Sequence, residues 1–391
     1  MKKFLLFAAA AVAMGASAQT LTQVWSTQQV PVGSVWGGDA RQGVGVNGKV
    51  YINNAATMAV EVYGAQGLEK SIPTGYGWSI CADDAGNIIS RAGTPGPGAV
   101  LSTDSIQLNI VPADGSEVRK ISLEGLDGFA AARADYFGHA FGDVVNGNGY
   151  LIVAQNGETQ PYAIAFADGD VDPDNSFPMV VDAELMTFAT QATLGFSYVD
   201  AEGAQHATLM VRNGGKMEVN EKKYPGSFQD LTLNMEDGLL SEQVSTVVKL
   251  PVNRGADAGG EIFKLGEKLY AVYPLETKTA TGFDYLDGFE VAEVTVEGAE
   301  VVATVPSTFA AEQNRGAGNW VTVEPVDDCT VNIYNYYVNG FVAMYTFEVP
   351  VTAVNDINVA KEVKAYKAIE NGQVVIVKGD AKYNVAGQAI K

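Results

Sequence analysis

Residues 77–93 read GWSICADDAGNIISRAG, and their pattern decides the architecture. An apolar run, Trp78 to Ala82, meets a polar turn of Asp83, Asp84, Gly86 and Asn87. A second apolar run starts at Ile88. Short runs of this kind, bounded by Asp, Gly and Asn, predict two antiparallel strands joined by a tight turn. The theme returns in GVGVNGKVYINN (43–54), FGDVVNGNGYLIVAQNG (141–157) and LGFSYVDAEGAQHATLMVRNGG (194–215). It returns again in GGEIFKLGEKLYAVYP (259–274) and in NWVTVEPVDDCTVNIYNYYVNGFVAMYTF (319–347).

Aligned on the first strand of each unit, anchors fall near Val44, Trp78, Ala140, Leu194, Ile262 and Val321, with spacings of 34, 62, 54, 68 and 59 residues. Strand repeats of this period predict the blades of a β-propeller, each of about four strands and, here, about 55 residues. The fold class is therefore all-β, a six-bladed propeller over residues 19–350. Seven blades with one degenerate repeat and a pair of β-sandwich domains are the alternatives. A propeller closes its ring by pairing its first and last strands. Convincing long amphipathic helix patterns are nearly absent; the best candidate is DAELMTFATQA (182–192).

The phrase GWSICADDAGNII resembles the G…I..D..GN.. blade motif of NHL/YWTD-like propeller proteins. A second resemblance covers the last 35 residues. There NGQVVIV (371–377), KYNVAGQ (382–388) and the terminal Lys391 resemble the C-terminal sorting domain of type IX secretion in Bacteroidetes. That resemblance implies export across an outer membrane, by interaction with the export machinery, to the extracellular space or the cell surface. Residues 351–356 read as a linker and 357–391 as a β-rich tail. At the other end, Lys2 and Lys3, an apolar stretch from Phe4 to about Met14 and the small-residue site ASA (16–18) read as a signal peptide, residues 1–18. No other run reaches the roughly 20 apolar residues of a spanning helix, so no membrane span is expected.

The formal net charge is −21. A surface this acidic repels phosphate backbones, so nucleic acid is not an expected partner. The two cysteines, Cys81 and Cys329, lie in apolar strand-like contexts and read as free thiols. With no CxxC motif or Cys/His cluster, a structural zinc site is not expected.

Chemistry-bearing patterns are sparse. There is no GxSxG, HExxH or P-loop motif, and His139 and His206 read as ordinary strand or loop residues. Asp168, Asp170, Asp172 and Asp174 alternate as calcium ligands do. Counting from Asp168, however, Pro173 and Met179 occupy the positions where an EF-hand loop needs Gly and Glu. A solvated loop between blades is the favoured reading; calcium is the one cofactor the run suits.

Arg41, Arg133, Arg254 and Arg315 each lie just before an inner strand, with Trp36, Trp78 and Trp320 nearby in the sequence. On one propeller face, guanidinium forks and aromatic platforms suit a glycan or protein ligand. The same arginines suit braces between blades. Two functions stay open: a secreted or surface binding protein, and a carbohydrate-active enzyme on a propeller. The missing catalytic motif favours binding.

Overall fold

A computed structural model describes residues 19–29, 42–92, 107–129, 136–153, 161–179, 192–211, 216–219, 222–225, 227–236, 239–249, 259–279, 282–295, 298–307, 319–350, 366–370, 373–378, 381–384 and 389–390. The chain divides into two compact units, Met1–Val349 and Pro350–Lys391. The first is a six-bladed β-propeller.

Blade 1 runs from its inner strand outward as Gly43–Val46, Lys49–Asn54, Ala59–Gly64 and Gly67–Pro73. Blade 2 is Gly77–Ala82, Ile88–Ala92, Gln107–Val111 and Arg119–Ser122. Blade 3 is Phe141–Gly142, Asn148–Val153, Tyr162–Ala167 and Asp170–Pro178. Blade 4 is Ala192–Val199, Gln205–Val211, Ser227–Glu236 and Leu239–Lys249. Blade 5 is Glu261–Leu265, Lys268–Thr279, Gly282–Thr295 and Gly298–Val305. Blade 6 takes three strands from the end of the unit, Asn319–Asp327, Thr330–Tyr337 and Phe341–Glu348. Its fourth comes from the beginning: Thr20–Gln28 pairs antiparallel with Phe341–Glu348.

Successive blades face one another, so the inner and middle strands bury both of their faces, while the outermost strands stay largely exposed. Strand Thr330–Tyr337 shows how. Its side chains alternate, as β geometry requires. Val331 and Ile333 join Val272, Phe289 and Val291 in the layer shared with blade 5. Tyr334 and Tyr336 turn the other way, towards Val50, Ile52 and Tyr63 of blade 1. Full burial of aromatic side chains of this size contributes roughly 1.5–3 kcal/mol each. The glycines of the GVGV strand answer these tyrosines: a Cβ on Gly45 would fall 1.8 Å from the Tyr334 ring. Val44 and Val46 of the same strand pack with Ile80, Ala82 and Ile88 of blade 2. Small residues on one face and valines on the other let the inner strand sit between two blades.

Blade 3 departs from the pattern. Its inner strand has two residues, and the segment before it is drawn towards the centre of the ring. Tyr136–Phe137 runs parallel to Thr193–Leu194 as an extra innermost strand of blade 4. Three residues later, Ala140 bridges Asp83 of blade 2 in parallel, with its amide donating to the Ala82 carbonyl at 2.8 Å. Residues 136–140 thus tie blade 2 to blade 4 across the inner end of blade 3.

The Asp168 run differs from its expected place. It is the turn and edge strand joining the outer two strands of blade 3, not a loop between blades. Asp168 and Gly169, both at positive φ, make the turn, and Asp170 to Pro178 continue as strand. A hairpin wins because Tyr162–Ala167 offers the run a paired partner. Cys329 also differs, lying in the turn between the first two strands of blade 6. Both cysteines are free thiols.

The second unit holds an antiparallel four-stranded meander of Tyr366–Glu370, Gln373–Lys378, Ala381–Asn384 and Ala389–Ile390. Residues 1–18, read as a signal peptide, and 351–365, which include the linker, lie outside the described residues. No helix among the described residues is long and apolar enough to cross a membrane.

Candidate functional site

The inner strands surround a central funnel. Its inner chamber, a cavity of about 330 Å³, is walled by Val44–Asn47, Ile80–Ala82, Phe137, Phe196 and Trp320–Thr322 among others. An outer chamber of about 480 Å³ opens beside it, past Tyr198, Val199, Lys264 and Pro325–Asp328. Asp84, His139, Phe196, Glu261, Val323 and Pro325 line both chambers and so mark the passage between them. Volumes of this order suit a small ligand or one end of a larger one.

His139 occupies this passage because its backbone has little freedom. Gly138 donates its amide to the Leu194 carbonyl at 3.1 Å, and the His139 carbonyl accepts the Phe196 amide at 2.9 Å. Gln42 of blade 1, itself buried, clamps the same segment. Its side-chain oxygen accepts the amides of Ile80 at 3.0 Å and Phe137 at 3.3 Å, and its side-chain nitrogen donates to the Phe137 carbonyl. One glutamine side chain therefore fastens blades 1 and 2 to the crossing segment.

The DDAGN turn of blade 2 supplies the partner. Its first aspartate is structural. Asp83 accepts the Asn87 amide at 2.7 Å, the Asn87 side chain at 2.8 Å and the Val144 amide at 2.9 Å. Burial pushes the Asp83 carboxyl up, against those hydrogen bonds. The second aspartate faces the funnel: Asp84 Oδ1 lies 2.8 Å from His139 Nε2, and Asp84 Oδ2 accepts the Gly142 amide at 2.7 Å.

Charge then settles as follows. Burial raises the Asp84 carboxyl, but the hydrogen bond and charge of His139 and the Gly142 amide outweigh it and hold Asp84 below the usual carboxylate range. For His139, burial disfavours the cation, while Asp84, Glu261 and Asp83 favour it more, so its pKa rises. Glu261, the first residue of the blade 5 inner strand, is pushed up to about 7 by burial, against the charge of His139 and a hydrogen bond from the Val323 amide. Water still reaches these groups, since the side chains of His139 and Asp84 are 31% and 52% exposed. Protein surrounds them on the remaining sides. The pair is therefore screened and contributes to positioning more than to stability.

A second histidine cluster lies in blade 4. His206 Nδ1 sits 2.9 Å from Asp230 Oδ1, and Nε2 sits 3.2 Å from Asp200 Oδ2. The imidazole stacks on Tyr198 at 4.3 Å, and the Tyr198 hydroxyl donates to Asp230 Oδ2 at 2.7 Å. Burial opposes charge on His206, but the two carboxylates outweigh it and raise its pKa. With both nitrogens engaged, this histidine braces the strands rather than facing a ligand.

Of the residues the sequence singled out, Trp320 is buried in the funnel wall, 4% exposed. Trp78 lies on the blade 2 inner strand; its side chain is outside the described set. Arg41, Arg133, Arg254, Arg315 and Trp36 also lie outside the described residues. The funnel mouth is built at the ends of the inner strands, by Asp84, Val199 and Asp327. Among the described residues, no group of three or more His, Cys, Asp or Glu side chains is placed to hold a metal ion. Asp172, for one, engages the Asp174 amide and the Asn175 side chain. Asp84 and Glu261 carry no site signal in the sequence, and His139, which there reads as an ordinary strand or loop residue, instead lines the passage. The one exception is the doubled aspartate of DDAGN, where the turn needs only one.

No protein-family model matches the chain, and no curated protein matches it. Solved structures do resemble it. One is a protein of unknown function from Dyadobacter fermentans, 11% identical, over 84% of this chain and 99% of that one, at a TM-score of 0.45. Another is a DUF4623 family protein from Bacteroides eggerthii, 10% identical, over 81% of this chain and 72% of that one, at 0.45. A third is streptogramin B lyase, 11% identical, over 83% and 98%, at 0.41. The six-bladed assignment stands on the strand pairing itself. Fold does not carry function across such distances.

Proposed function

We propose that this is an exported binding protein that seats a glycan or protein ligand at the open end of its central funnel. The observation that carries this reading is the state of His139. Asp84 takes its Nε2, while Nδ1 has no hydrogen-bond partner among the described residues and Glu261 stands close enough to influence its charge. An imidazole whose charged form is favoured and a titratable carboxyl, held at the narrow point of an open cavity, suit a polar ligand group. Export rests on the signal-like residues 1–18 and the sorting-like tail. Screening oligosaccharides and peptides against the full-length protein, with the His139 ring protons as the NMR reporter, tests the reading. A ligand of this site shifts His139; ligands that bind without shifting it contradict the assignment.

One observation favours a second reading, a carbohydrate-active enzyme. A carboxyl near 7 gives and takes protons at neutral pH. Glycoside hydrolysis calls for a pair of carboxyls about 5–10 Å apart, and Asp84 is already engaged by His139. The release of reducing ends from a polysaccharide, lost in Glu261→Gln, would establish this second reading.

A further inference from the structure

The outer chamber combines two features. Its walls are substantially apolar: Phe196, Val199, Phe263, Val323, Pro325 and Val326 all line it. Val199 and Val326, at its rim, are 51% and 53% exposed, among the most exposed large apolar side chains described. Its charge is one-sided. Its ionisable side chains are the carboxyls of Asp84, Glu261, Asp327 and Asp328 against His139, which Asp84 engages, and Lys264. No ion pair is formed by Glu261 or Asp328 among the described residues. The rim of the pit thus mixes exposed valines with exposed aspartates, and Glu261 lies deeper, at the passage between the chambers.

We infer that this pit is a socket for a basic side chain, Lys or Arg, presented by a protein partner, its aliphatic stem against Val199 and Val326 and its cationic head between Asp328 at the rim and Glu261 deeper in. This rests on the funnel being the ligand site, and it narrows the ligand to one class. Lys and Arg carry an apolar stem and a charged head in one side chain, matching the pit's mix of apolar and carboxylate walls. An anionic glycan would meet like charge, and a neutral sugar would leave the carboxylates without a counter-charge. A protein partner also covers the rim valines, which a small free amine would leave in water. A bound cation favours the ionised form of Glu261, so binding releases protons near neutral pH.

The test uses the full-length protein and two blocked tripeptides, Val-Arg-Val and its uncharged twin Val-citrulline-Val. Affinity is measured by calorimetry at low and high salt, and location by the ring protons of the two histidines. The arginine peptide is expected to bind roughly tenfold or more tightly than its twin, to lose that advantage at high salt, and to shift His139. Glu261→Gln and Asp328→Asn should each remove most of the difference. Equal binding of the two peptides, or a difference that survives both substitutions, overturns the inference. A neutral oligosaccharide that shifts His139 where the arginine peptide does not would overturn the basic-side-chain socket and leave the funnel as the ligand site. If neither probe reaches His139, both fall.

Discussion

Gly138 and Gly195 pack backbone against backbone: a Cβ on Gly138 would lie 2.4 Å from the Gly195 Cα, and one on Gly195 would lie 2.4 Å from the His139 amide. Neither contact is with the far end of a flexible side chain, so the backbone itself must move. Gly138→Ala or Gly195→Ala should therefore cost about 1–3 kcal/mol of stability, the usual range for overpacking. Each should also separate His139 from Asp84. Urea denaturation reads the first effect; a fall in the His139 pKa, read by NMR, reports the second.

Ring closure makes a separate prediction. Strand Thr20–Gln28 is the outer strand of blade 6, so the start and end of the propeller unit are fastened together. Removing residues 19–28 should lower the melting temperature of the whole propeller in one cooperative transition. A sandwich pair would instead lose one half and keep the other. Calorimetry distinguishes one shifted transition from two.

The pH dependence of stability follows from three raised groups. Glu261 titrates at about 7 in the folded protein against 4.5 ordinarily. Between those values the folded state holds a proton that the unfolded chain has released, so stability falls as pH rises through this window. His139 and His206 are raised above 6.5. The stabilisation from their charged forms is full below 6.5 and is lost as pH climbs through their folded values. Asp84, held low, acts oppositely, but only in acid. The urea midpoint should thus decline from pH 5 to pH 8, and Glu261→Gln should flatten the lower part of that decline.

The His206 brace should matter to stability and not to ligands. His206 and Asp230 side chains are only 10% and 12% exposed. Replacing His206 by Ala strands a mostly buried carboxylate, at a cost of about 3 kcal/mol. Denaturation of His206→Ala reads this, and the His139 resonances should stay in place.

Much of the ring was legible in the sequence. Val44, Trp78, Leu194, Ile262 and Val321 all fall on inner strands, and Ala140 directly precedes one. Alternating apolar residues and Asp–Gly–Asn turns are local signals, and inner strands obey them. The departures came from partners far away in sequence. The run at Asp168 became a hairpin edge because Tyr162–Ala167 pairs with it. The crossing segment at 136–140 is invisible locally, since its pairing to Thr193–Leu194 spans more than 50 residues. The site shares that obscurity. Asp84, His139 and Glu261 come from three blades, and no spacing in the chain announces their meeting.

The phrase GWSICADDAGNII thus serves twice. Asp83 and Asn87 knit the blade 2 turn to blade 3, and Asp84 turns into the funnel to hold His139. The central claim is that this funnel is where a ligand binds. Its most direct test compares the affinity of a bound glycan or peptide for wild type and for His139→Ala. The account predicts a loss of roughly tenfold or more for His139→Ala. Unchanged binding to His139→Ala would contradict it.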